Sequence, residues 1–500
     1  MNLINCQKTR EHRMKRLTVL VLLFTLIGVQ LSAHSGKPKY NVIIDTDGAI
    51  DDMRAISMLL SSNDIRVLAI TCSQGTLIPG TVFKKINSLL SAFHHEGIPV
   101  GISHETDFKL PEWSGFVESI SWGKPVNTQY QNFNRNSIDV LNSVVENYPE
   151  KLTLIALGSL KTYADWLESD PDISRKIKQI IWYNNHDIKA GFNYQVSPDS
   201  YKFIINSDVQ LEMVANISDD MIVDRAYLNE IQNANSLYAE QINFVLSQDA
   251  VAEKIDRGIM YLWDDIVPLY LEVPLLFDIE TKDGIKYASI MKQISPELIY
   301  ELIGRLLVSA TAANNRVFSS FPVDTTLYLS EYAKMVNPTI EKYGLIEWKA
   351  ITLTNEIHGH TGIYSIIGAK MGIRAIEYFN VGVNNMQVVT FAGEEPPLSC
   401  FNDGIQISTG STIGQGLIKI SDSVSIVPTA IFEFNNQKVK ISLKPEIAEQ
   451  ISNEIKFGVE NYGLLTDRYW LYIEYLAINY WKDCDRMEIF MIENSSSTVL

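Results

Sequence analysis

The chain has 500 residues, 46% of them hydrophobic and 20% charged. That is enough apolar material for sizeable cores, and the length favours two or more domains over one. A formal net charge of −17 argues against nucleic-acid polymers as ligands, and the composition excludes a disordered chain.

The N-terminal stretch Met14 to Ala33 has a basic start, an apolar run from Leu17 to Val29 and a small-residue end, the layout of a secretory signal. Residues 1–33 are therefore expected to be removed, and a secreted, periplasmic protein is expected. The apolar run is short for a membrane span, so no stable span should remain after cleavage. Residues 1–33 hold five Lys or Arg and one Glu, so their loss takes the net charge from −17 to −21. Cys6 would go with them, and Cys72, Cys400 and Cys484 are too few and too odd for a disulfide framework.

From residue 38 the pattern alternates. Val42 to Ile44 reads as a buried strand and Met53 to Leu60 as a helix; Arg66 to Cys72 is a strand, Thr81 to His95 a helix, and Ile98 to Ile102 a strand. Ser137 to Asn147 has helical spacing, and Leu152 to Leu157, Ile177 to Trp182 and Glu212 to Ile217 continue the strands. Repeated strand–helix units imply an α/β domain with a mainly parallel sheet and helices on both faces. Pro296 to Ala310 is read as the closing helix of a domain spanning 38–312. A helical connection over 313–342 and an α+β domain over 343–500 follow.

Chemistry concentrates where the first strand meets the first helix. Asp45, Asp47, Asp51 and Asp52 crowd the carboxyl edge of a predicted parallel sheet, where ligands bind in open α/β folds. Four acids this close repel one another unless a cation or bound hydroxyls neutralise them, and Ca²⁺ is the natural hard, oxygen-seeking partner. The plainer reading is a solvated acidic turn that caps a helix.

The segment Asp45-Thr46-Asp47-Gly48-Ala49-Ile50-Asp51-Asp52 resembles the DTDPGxDD signature of the inosine-uridine preferring nucleoside hydrolase family, with Gly-Ala in place of Pro-Gly. Three further stretches are similar to that family. Thr153 to Ala164 resembles TLVALGPLTNLA, Gly191 to Ser200 resembles EFNxxxDPEA, and Trp263 to Tyr270 resembles HDPxAxxY. The resemblance implies Ca²⁺ bound by Asp47, Asp52, the Leu157 carbonyl and Asp264. It implies Asp47 as the catalytic base, with Asp51 and Asn193 on the ribose. A family Glu has become Gly191, a family Asn has become Thr76, and the His that assists the departing base has become Trp263, which can stack but cannot donate a proton.

Beyond Trp348 the resemblance changes. Asn355 to Ala375, with His358-Gly359-His360, and Cys400 to Gly416 are similar to the two motifs of the FmdE family, a domain found in formylmethanofuran dehydrogenase. His358 and His360 are spaced to meet one metal ion, and Cys400 could add a thiolate, a set that suits Zn²⁺. Two family cysteines fall on Gly362 and Ser411. The alternative is that His-Gly-His caps the next helix.

The expected activity is Ca²⁺-dependent hydrolysis of the N-glycosidic bond of a small-molecule ribonucleoside or related N-riboside. A metal-retaining nucleoside or sugar binder without turnover is the rival, and a separate metal-dependent activity in the C-terminal domain is a third reading. A homo-oligomer is compatible with all three.

Overall fold

The computed structural model describes residues 38–126, 136–216, 221–282, 284–308 and 317–494. The expected secretory segment and the first residues of the expected helical connection lie outside them. Residues 38–313 and 323–500 group as one compact unit. Residues 317–322 belong to a second, small unit, in which Phe318 and Phe321 meet edge to face at 5.8 Å.

The first half is built on an eight-stranded sheet in the order β3-β2-β1-β4-β5-β6-β8-β7. Its strands are β1 Tyr40–Thr46, β2 Ile65–Cys72, β3 Val100–Ile102, β4 Leu152–Ala156, β5 Ile177–Tyr183, β6 Leu211–Val214, β7 Phe277–Lys282 and β8 Ile285–Ile290. All neighbours pair in parallel except the β7–β8 hairpin at one edge. The expected parallel sheet is therefore present. The hairpin escaped the sequence reading because β7, Phe-Asp-Ile-Glu-Thr-Lys, carries only two apolar residues in alternation and buries only the first of its six. The helix expected over 81–95 runs Pro79–Ala92, because His94 takes a left-handed backbone (φ 60) just past its end.

The central strands are sealed on both faces. Ile43, Leu154, Tyr163, Trp166 and Trp182 are all buried in one apolar cluster. Each such side chain contributes about 1.5–3 kcal/mol through area removed from water. From β1 the chain winds to β2 and β3 on one side, then crosses to β4, β5 and β6 on the other. The direction of winding thus reverses beside β1, and a crevice opens there at the strands' carboxyl ends.

The second half carries a five-stranded sheet, order β10-β9-β11-β12-β13, from β9 Gln387–Thr390, β10 Ile418–Ile420, β11 Thr429–Phe434, β12 Gln437–Leu443 and β13 Phe490–Asn494. Beside it the helix Ile363–Phe379 is buried along nearly its whole length. It crosses the helix Phe401–Thr409 at a double glycine contact. A Cβ on Gly368 would lie 2.0 Å from the Phe401 carbonyl oxygen, and one on Gly404 would lie 2.0 Å from that of Ser365.

The two halves lock together at the amino edge of the large sheet. Asn380 donates to the Leu60 carbonyl (3.2 Å), Gly97 N–H donates to the Tyr378 carbonyl (2.8 Å), and Arg374 pairs with Glu96 (3.1 Å). The buried His95 bridges the seam. Its Nδ1 lies 2.6 Å from the Glu377 carbonyl, which can only accept, so Nδ1 carries the proton and Nε2 accepts from the Tyr238 hydroxyl at 2.7 Å. Burial lowers the imidazole from 6.5 to about 4. The unfolded chain therefore binds this proton more readily than the native one, so the His95 contribution is intact above pH 6.5 and drains away as pH falls toward 4. Between pH 7.5 and 5, urea unfolding should show the wild type losing about 2 kcal/mol that a His95→Gln variant does not lose.

Candidate functional site

Strand β1 delivers its carboxylates to the crevice because Val42, Ile43 and Ile44 anchor it in the core and the helix Ile50–Ser61 starts four residues after it ends. Asp45 is fully buried and accepts from the hydroxyls of Thr71 and Ser73, each at 2.6 Å. Burial nevertheless pushes its carboxyl up to about 7. Through these bonds to β2 and the residue just past it, Asp45 supports the end of the strand.

Asp51, Asp52 and Asp264 each offer a carboxylate oxygen within 4.8 Å of the others, the one such set of three or more His, Cys, Asp or Glu among the described residues. Asp52 Oδ2 accepts from Thr46 Oγ1 at 2.6 Å and from the Asp47 N–H at 3.1 Å, which ties the helix start to the strand end. Burial, reinforced by the neighbouring carboxylates, raises Asp52 and Asp264 well above the usual range. Burial also lifts Asp47 to about 6, against the pull of the Thr76 N–H and hydroxyl. Asp47 is not a member of the tight set; it lies beside it. Gly75 permits that placement, since a Cβ there would sit 2.0 Å from Asp47 Oδ2.

Asp47 Oδ1 and Asp264 Oδ1 are buried with no hydrogen-bond partner. Orphaned anionic oxygens beside three mutually repelling carboxylates are costly unless a cation occupies the centre, and all the donors are hard oxygens. The residues therefore fit a divalent cation such as Ca²⁺.

The Leu157 carbonyl and Asn193, given separate roles by the motifs, meet each other. Asn193 Nδ2 donates to Leu157 O at 2.7 Å and to Tyr183 O at 3.1 Å. At Gly191, where the family motif has Glu, a Cβ would lie 1.9 Å from Asn184 Oδ1, so a side chain there requires Asn184 to move. Trp263 is 41% exposed and stacks on Tyr261, with centroids 5.2 Å apart and planes 10° from parallel, a flat face open to a ligand. Phe192, next to Asn193, contacts Phe108 at 5.9 Å and the half-exposed Trp113 at 5.4 Å. This second aromatic group was not singled out from the sequence, where loop aromatics carry no spacing signal. A cavity of about 190 Å³ lies alongside, lined by Ser73, Ser103, His104, Ser159, Lys161 and Thr162.

Two charged residues also went unnoticed. Arg54 is fully buried one turn past Asp51, and its guanidinium holds Asp265, also fully buried, through two hydrogen bonds of 2.8 and 2.7 Å. A cation inside an apolar helical run was the available signal.

In the second half the rings of His358 and His360 face each other at 4.2 Å. His358 Nδ1 pairs with Asp403 at 2.9 Å, while its Nε2 is buried without a partner. Cys400 does not join the two imidazoles in a set as tight as the acid cluster. The residue that reaches His358 is Asp403, in the first turn of the following helix.

Two family models match the chain: that of the inosine-uridine preferring nucleoside hydrolases over residues 42–321, and that described as FmdE, molybdenum formylmethanofuran dehydrogenase operon, over residues 357–462. Among curated relatives, uridine nucleosidase 1 of Arabidopsis thaliana is 23% identical over 252 residues, which is 47% of this chain and 72% of the relative. The pyrimidine-specific ribonucleoside hydrolase RihA of Klebsiella pneumoniae is 22% identical over 229 residues, 41% and 71% of the two chains. Among solved structures, a purine-preferring ribonucleoside hydrolase from Gardnerella vaginalis is similar at 15% identity and a TM-score of 0.46, covering 54% of this chain and 99% of that one.

Proposed function

Because the chain belongs to the inosine-uridine preferring nucleoside hydrolase family and is thereby an N-glycosyl hydrolase, we propose that it cleaves ribonucleosides or related N-ribosides with Ca²⁺ at the acid cluster. The observation that carries this reading is the set Asp51, Asp52 and Asp264 within 4.8 Å, beside the buried, unpartnered Oδ1 of Asp47. Asp47, Asp52, Asp264 and the Leu157 carbonyl would hold the cation. Bound there, Ca²⁺ would orient a water and lower its pKa.

Asp47 is the carboxylate placed to accept the proton of a water attacking C1′, as the C1′–N bond breaks and its electron pair leaves with the base, because its Oδ1 is buried and has no other partner. Asp51 takes a ribose hydroxyl and holds the sugar as positive charge develops at the ring. Asn193 keeps the Leu157 carbonyl aimed, through its 2.7 Å hydrogen bond. The Tyr261–Trp263 stack offers the base a planar surface, and because Trp263 has no proton to give, the base must leave without an acid at that position.

A panel of purine and pyrimidine nucleosides, assayed for free ribose with Ca²⁺ and with chelator, tests the proposal. Turnover should require Ca²⁺. Saturating Ca²⁺ should also raise the melting temperature by a few degrees, since a ligand at a hundred times its Kd adds about 2.7 kcal/mol. No ribose from any nucleoside at saturating Ca²⁺ would remove the hydrolase reading, and an unchanged melting curve would remove the cation.

A further inference from the structure

We propose that the buried Arg54–Asp265 pair is the positioning device of the acid cluster, fixing the separation of Asp51 and Asp52 from Asp264 and thereby setting the affinity for the cation. The inference rests on the cation reading above and goes beyond it by naming residues that touch neither cation nor nucleoside.

The cluster is assembled from two stretches of chain more than two hundred residues apart. Asp51 and Asp52 stand on the first turn of the helix Ile50–Ser61, and Asp264 stands just before the helix Ile266–Glu272. Like charges drive these stretches apart whenever the centre is empty, so something must hold them in register. Arg54 is two residues after Asp52, and Asp265 is the neighbour of Asp264. Their guanidinium and carboxylate meet as a fork, Nε to Oδ1 at 2.8 Å and Nη2 to Oδ2 at 2.7 Å, and Nη2 also donates to the Tyr261 carbonyl at 2.8 Å. Both side chains are fully buried.

Three bonds from one planar group fix distance and orientation together, which a lysine could not do. The pair is neutral in sum, so it ties the two stretches without adding to the repulsion. The bond to Tyr261 extends the tie to the backbone that carries the Tyr261–Trp263 stack. Second-layer partners of this kind set the angle and spacing of metal ligands, and their loss lowers metal affinity ten- to a hundred-fold.

Arg54→Lys keeps the charge and removes the fork, and Asp265→Asn keeps the shape and removes the charge. In each full-length variant, calorimetric titration with Ca²⁺ should show affinity at least about ten-fold below wild type. A second variant pair, Arg54→Met with Asp265→Leu, replaces the ion pair by apolar side chains that can recover stability but not the fork. Its urea midpoint should stay near that of the wild type while its Ca²⁺ affinity stays low. His95→Gln, destabilised at the distant seam, should bind Ca²⁺ as the wild type does. Wild-type affinity in the folded Arg54 and Asp265 variants, or an equal loss of affinity in His95→Gln, would overturn the inference. A wild type that binds no Ca²⁺ would instead overturn the cation reading on which it stands.

Discussion

Asp47→Asn is expected to lower nucleoside turnover by a factor of about a hundred or more while ligand affinity stays within a few-fold. Asn keeps the shape and an oxygen donor but cannot accept the proton of an attacking water. The carboxyl sits where that function needs it, buried and with Oδ1 unpartnered. Initial rates of ribose release measured together with equilibrium binding of the same nucleoside separate the two quantities. Equal losses in binding and turnover would make Asp47 a ligand-holding residue and not the base. Full activity in the variant would transfer the base role to another acid of the cluster.

Removing the charge of Glu347 should strongly destabilise the second half, by about 3–5 kcal/mol for Glu347→Gln. This fully buried carboxylate holds Lys370 Nζ at 2.6 Å and Arg486 Nη1 at 3.0 Å, and the Lys370 ammonium is itself fully buried, over the Tyr343 ring. With Gln there, the buried ammonium keeps a neutral acceptor and the aromatic face but loses its counter-charge. Burial lowers the Lys370 pKa and Glu347 opposes that, so the variant should shed the lysine's proton more readily as pH rises. Urea unfolding checks the magnitude, and Glu347→Leu with Lys370→Met should recover much of the loss, because apolar packing replaces the pair. A Glu347→Gln protein as stable as the wild type would show that the network adds nothing to folding.

The parts of the fold that were legible from the sequence are those whose signal is local. Val42 to Ile44 and Leu152 to Ala156 announce themselves as buried strands because every side chain in them is apolar or small, and the acid-rich junction at Asp45 to Asp52 marks where they lead. The β7–β8 hairpin was harder to read because β7 is an exposed edge whose short alternation, Phe277 and Ile279 among acids, serves no buried face. Arg54 and Asp265 were missed for a different reason. Arg54 stands out as a cation in an apolar helical run, but Asp265 is one acid beside another, and their pairing appears only when the fold brings two distant segments together. The same limit applies to Cys400: a motif gives the order of the residues along the chain, but the helix crossing at Gly368 and Gly404 decides that Asp403 is the residue reaching His358.

The seam at His95 has a consequence for how the chain can be divided. Two families are written along it end to end, 42–321 and 357–462, and a breakpoint between them looks natural. Yet Phe434 of the second stretch packs against the apolar core of the first, under the Arg66 guanidinium, and Asn380 caps the helix whose other end bears Asp51 and Asp52. The modules that evolution joined are therefore not separate thermodynamic units. Cutting the gene between them would strip a wall from the hydrolase core, so the chain should melt as one cooperative body and be inherited, expressed and engineered as one.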